Sequence, residues 1–228
     1  MDAHPRYRTL IEVTSLIVGP ALMSVGDLMH PVENLDAAAQ VAIVAQSASH
    51  WYTAHLLLFV GFLLLVPGTL ALSEVAMERK PRAGYAARVL TLISLGAFSA
   101  VFAFEMILGR FISAGADQAA AVVLLKQFQQ SPHMILALSP GLLAFFVGIA
   151  LLVISLGTTP NPFRWPTLGI ALGAGLILAE ILSAQVVLSQ IGNVAMLASG
   201  IAFAMLLWRQ RAGAASKAQA LGGELAEF

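Results

Sequence analysis

Six apolar runs, each near twenty residues long and separated by short polar stretches, constrain this chain more than any other feature. A helix rises about 1.5 Å per residue, so roughly twenty residues cross the ~30 Å hydrocarbon core of a bilayer. The runs are Thr9–Met29, Trp51–Ala76, Ala87–Ser113, Pro132–Leu156, Thr167–Gln190 and Asn193–Trp208. Charged Glu78–Arg82 stops the second run, and Thr158–Pro162 with its two prolines stops the fourth. Trp51, Tyr52, Tyr85, Trp165 and Trp208 stand at run ends, where amphipathic rings favour the headgroup region. Composition agrees, with 59% hydrophobic and only 11% charged residues, against about 25% charged in soluble domains. The expected fold is therefore all-α: a polytopic membrane bundle of six transmembrane helices, with the lipid bilayer as its first partner.

Several functions are excluded or weakened by what the chain lacks. It has no cysteine, which removes disulfides, thiolate metal sites and cysteine nucleophiles. Its formal net charge is zero, so nothing attracts nucleic acid. It carries no Walker loop, no dinucleotide glycine fingerprint, no Gly-x-Ser-x-Gly elbow and no His-Glu-x-x-His. Arg6 and Arg8 precede the first apolar run as in a signal peptide, but the run is long and a cleavage site is poorly formed, so it reads as a retained helix.

Basic residues orient the bundle. Arg6, Arg8, Arg79, Lys80, Arg82, Arg88, Arg164, Arg209, Arg211 and Lys217 fall on one side, and Arg110 and Lys126 on the other. The positive-inside rule then places both termini in the cytoplasm and the chain in the cytoplasmic (inner) membrane. On this reading residues 1–8 are a cytoplasmic N-terminus, 9–208 the membrane domain and 209–228 a disordered cytoplasmic tail. The two long outer loops echo one another: Asp36 to Gln46 aligns without gaps on Asp117 to Gln127. Each opens with an Asp at a helix N-cap position and is too short to span, predicting two short amphipathic surface helices. Phe59–Val66 recurs in a similar way as Phe146–Val153. Together these suggest an internal repeat, 9–76 and 87–156, with 167–208 as a degenerate copy; chance similarity between Ala/Val/Leu-rich stretches is the bland alternative.

Ionisable residues gather toward the outer half. Asp27 and His30 lie at the outer end of the first span, His50 and His55 open the second, and His133 opens the fourth. Glu105 lies about 12 Å below the outer end of the third span and Glu180 near the middle of the fifth. The inner half between helices reads as almost purely apolar, with Glu12 and Glu74 near inner ends. An acid at membrane depth costs about 2.5–3.5 kcal/mol on insertion scales, so Glu105 and Glu180 should face the interior and find partners. Gly169, Gly173, Glu180 and Ala184 share one helical face, and Gly200 with Ala204 offers a similar small-residue stripe. Pro20, Pro67 and Pro140 interrupt spans and predict bends, some beside a cavity.

The candidate catalytic residues are Glu180, Glu105, Asp27 and His55. Their bland alternatives are interhelical hydrogen bonds and, for Asp27, a cap. Asp27, His30, His55 and His133 could converge on a divalent metal such as zinc, and haem between His55 and His133 is the weaker cofactor reading. No cofactor-binding residues are assigned. Three functions stay open: an acid/base or metal-assisted enzyme acting on a lipid or isoprenoid, a proton- or metal-coupled transporter, and a haem-carrying or other non-catalytic subunit or sensor. A lipophilic small molecule is the expected partner, and an oligomer is compatible with all three.

Overall fold

The computed structural model describes residues 4–31, 34, 36–115, 117–157, 162–183 and 185–225, and its described residues form eight helices. These are α1 (His4–Met29), α2 (Ala37–Gln46), α3 (Ala48–Arg79), α4 (Pro81–Ser113), α5 (Gln118–Gln130), α6 (Pro132–Gly157), α7 (Arg164–Ser183) and α8 (Val186–Leu225). Six of them, all but α2 and α5, are long and apolar enough to cross a membrane. The order long–short–long occurs twice, in α1 to α3 and in α4 to α6.

The six long helices close a ring. Each touches its two neighbours in the order α1, α3, α4, α6, α7, α8 and back to α1. The start of α1 and the end of α8 lie on one face, hereafter the terminal face, while α2 and α5 pack on the opposite loop face. Asp36 accepts the Ala39 N–H (2.9 Å) and Asp117 the Ala119 N–H (3.0 Å), so both loop helices start at the aspartates that the sequence marks as caps. Val41 and Val44 of α2 and Ala121 and Leu125 of α5 bury together with Trp51, Leu108 and Ile112, which fastens both short helices onto α3 and α4.

Close approach closes the ring. A Cβ on Gly61 would stand 2.9 Å from the Gly19 carbonyl, so α1 and α3 can lie together only without that side chain. A Cβ on Gly200 would collide with the Leu16 carbonyl, which makes the same true of α8 against α1. The α7 stripe does face α8: Gly173 packs on Met196 and the Gly192 carbonyl. The Gly200 stripe faces α1 instead of α7.

Three expectations change. The fifth span ends at Ser183 and the sixth begins at Val186, well before the Gln190/Asn193 boundary read from the sequence. Hydropathy is continuous there, so composition alone does not reveal the turn, at which the Gln185 carbonyl accepts the Leu188 N–H. Beyond Trp208, where a disordered tail was expected, α8 continues through Leu225, its Ala-rich stretch being a strong helix former. Nor is the inner half purely apolar. Arg8 donates to Glu12 (2.8 Å) and to Glu74 (2.5 Å to Oε2), and Arg211 pairs with Glu12 (2.5 Å) and Glu74 (3.5 Å). The separate charges were visible in sequence, but helix rotation, which draws four of them from α1, α3 and α8 into one quartet, was not.

Proline bends are supported from neighbouring helices. Pro67 lies inside α3 and has no N–H to give to the carbonyl one turn back. Ser15 of α1 fills the gap, donating to the Leu64 carbonyl and accepting the Gly68 N–H (2.8 Å).

Candidate functional site

Two features stack along the ring axis: an imidazole pair near the loop face and, deeper, a cavity. Trp51 and His55 are four residues apart and so share one face of α3. The His55 Nδ1–H donates to the Trp51 carbonyl (2.8 Å), and the Trp51 indole N–H donates to the Glu105 carbonyl of α4 (3.1 Å). His30 follows the end of α1, where its Nδ1–H donates to the Pro31 carbonyl (2.8 Å). The two rings then meet, with Nε2 3.0 Å from Nε2. Trp51 lies against both, with centroids 4.3 Å from His55 and 5.1 Å from His30.

This geometry constrains where the ring protons can lie. A carbonyl can only accept, so both Nδ1 atoms carry hydrogen. Two neutral rings would then aim bare lone pairs at each other across 3.0 Å. The contact is attractive only when one proton lies on the Nε2–Nε2 line, held by either ring. His55 is 1% exposed, so exchange of that proton runs through His30. The pair is two imidazoles in Nε2–Nε2 contact, His55 buried and His30 half-buried.

An aromatic ladder leads inward from it. His55 faces Phe102 (6.1 Å), Phe102 faces Phe62 (5.3 Å), and Phe62 and Phe145 are bridged by Phe98 (5.3 and 5.7 Å). Phe62 and Phe145 form part of the wall of a cavity of about 110 Å³ to which all six long helices contribute. Toward the terminal face an apolar layer that includes Leu72, Val75, Leu156, Phe203 and Leu207 follows, before the Arg8–Glu12–Glu74–Arg211 quartet. A second, more open hollow of about 650 Å³ reaches that quartet between Tyr7, Pro67 and Arg88.

The other candidate residues are placed separately. Asp27 turns to α8, where the Ser189 hydroxyl donates to it (3.4 Å). Glu105 and Glu180 are both half-buried, on α4 and α7, two helices that do not touch, and neither lines the central cavity. His50 is exposed, as its five-residue offset from His55 predicts. The side chain of His133 lies outside the described residues, as does Ala184. Among the described residues no three His, Asp or Glu side chains gather as a metal set; of the four metal candidates, His30 and His55 come together. His55 directs its Nε2 at His30, the atom that the haem reading requires for iron.

Sequence reading missed the contributions of Trp51, Phe98, Phe102, Ser94 and Ser189. For Trp51 a signal was present: the i, i+4 spacing to His55 places it over the imidazole as well as at the interface. The others depend on helix rotation. No protein-family model, no curated protein and no solved structure matches the chain.

Proposed function

We propose that the protein is a membrane-embedded acid/base enzyme that acts on a lipophilic molecule. The central cavity would take a ring-sized apolar part of it, and the His30–His55 pair would give and take the proton. The observation that carries this reading is the 3.0 Å Nε2–Nε2 contact, joined to an apolar cavity by a ladder of aromatic rings. A general acid in a water-poor site is competent, because its proton has no solvent to escape to. His55 is the group proposed to face substrate when Phe62 and Phe102 swing aside, with His30 as its route to water. Asp27, Glu105 and Glu180 then serve the helices as buried acceptors or as further proton carriers. The positive-inside bias supports a cytoplasmic-membrane location with the terminal face inward.

A second reading, a proton-coupled carrier, draws support from the quartet. A cavity closed by aromatic rings at one end and by ion pairs at the other has the arrangement of an occluded carrier. The two readings separate in one experiment. Purified wild type and His55→Gln are incubated in lipid nanodiscs with a total lipid extract, and the products are followed by mass spectrometry. Chemical conversion of one lipid class by wild type and at least ~100-fold slower conversion by the variant are expected, within the range for general acid/base groups. Equal conversion by both proteins, or none by either, overturns the enzyme reading. Proteoliposome flux that depends on a proton gradient would put the carrier in its place.

A further inference from the structure

The central cavity is apolar but not wholly so, and one of its polar groups, the Ser94 hydroxyl, is unbonded among the described residues. Phe62, Phe145, Phe203, Met23 and Met196 supply much of the wall, and no charged side chain reaches it. Into it project Ser94 of α4 and Asn193 of α8, 1% and 8% exposed. A serine within a helix usually returns its hydroxyl to the carbonyl one turn back. Ser24, Ser155 and Ser199 do so here, onto the carbonyls of Pro20, Leu151 and Ala195 (each 2.7–2.8 Å). The Ser94 hydroxyl is buried and, among the described residues, bonds to nothing. A buried polar group left unmade costs about 1–3 kcal/mol, so its persistence calls for a partner. The carboxamide of Asn193 offers two donors and an acceptor on a helix that does not touch α4. Both groups can therefore be served by something lying between the helices.

We infer that the cavity takes a neutral, ring-sized, mostly apolar molecule carrying one or two hydroxyl or carbonyl groups, and that Ser94 and Asn193 hold those groups. A charged ligand is disfavoured because no counter-charge lines the walls. A purely apolar one would leave the Ser94 hydroxyl unpaired. The volume, about 110 Å³, is within a factor of two of cavities of ~150 Å³ that hold a benzene ring. This inference rests on the reading of the cavity as the ligand site and names what that site selects.

The test uses the full chain in nanodiscs and two matched probes, 4-fluorophenol and 4-fluorotoluene, observed by fluorine NMR. The expected result is a saturable bound resonance for both, with 4-fluorophenol at least tenfold tighter. Ser94→Ala and Asn193→Leu, each checked for wild-type helix content and monodispersity, should each remove most of that preference. Equal affinity of the two probes for wild type overturns the inference while leaving the cavity as a ligand site. A tenfold preference that survives both substitutions also overturns it. Absence of saturable binding by either probe removes the inference together with the ligand-site reading beneath it.

Discussion

The two polar clusters of this bundle lie at opposite ends of one ring, and they close their electrostatics in opposite ways. The terminal-face quartet matches two guanidinium groups to two carboxylates, so its formal charges balance. The loop-face pair brings two bases together, each ring bonded through Nδ1 to a main-chain carbonyl. Matched opposite charges hold helices together; two bases in contact can pass a proton to a ligand or to water. Burial alone therefore does not mark a reactive group; the kind of neighbour that burial brings to it does.

That contrast can be broken at three levels. The largest effect is expected where both clusters depend on the ring itself. Gly200→Leu forces a side chain into the Leu16 carbonyl and should cost at least about 2–3 kcal/mol, read as loss of a cooperative thermal transition in detergent. An unchanged transition would show that α8 does not close against α1. Next comes the quartet. The Glu12 side chain is 6% exposed but Arg8 is 52% exposed, so Glu12→Gln should destabilise by about 2 kcal/mol, below the 3–5 of a fully buried pair. A double-mutant cycle with Arg211→Met should show coupling between the two sites, and additivity would mean that the ion pair holds nothing. The smallest stability effect belongs to the imidazole pair. His55→Phe keeps the shape of the ring and should change stability by about 1 kcal/mol or less. In nitrogen-15 spectra of the wild type, the His30 Nε2 resonance should report a hydrogen-bonded ring nitrogen, and the variant should shift it. If His55→Phe proved more damaging than Glu12→Gln, the division into a holding cluster and an exchanging one would be reversed.

Much of the fold was written in runs and spacings. Bilayer thickness sets a minimum length for every span, so the six helices follow from counting apolar residues. Asp36 and Asp117 were legible as caps because a side chain bonding its own helix start is a local matter. Arg8–Glu12 was equally local, an i, i+4 pair. Rotation was not legible, because α3 is apolar on nearly every side and one face looks much like another. So the meeting of Glu12 with Glu74, and the return of His30 onto His55 from beyond the end of α1, had no signature in spacing. The turn between Ser183 and Val186 escaped for a similar reason, since hydropathy barely falls there. Of the site, the imidazoles were found and their aromatic surroundings were not: Trp51 and, from α4, Phe102 are rings that face His55.

Ser15 is bonded to the main chain of α3 at Leu64 and at Gly68, on either side of Pro67. The residues before that point include His55 and those after it Glu74, so one α1 hydroxyl seats the helix that bears members of both polar clusters. Replacing Ser15 by a residue without a hydroxyl would leave two main-chain groups without their α1 partner where proline already withholds an N–H.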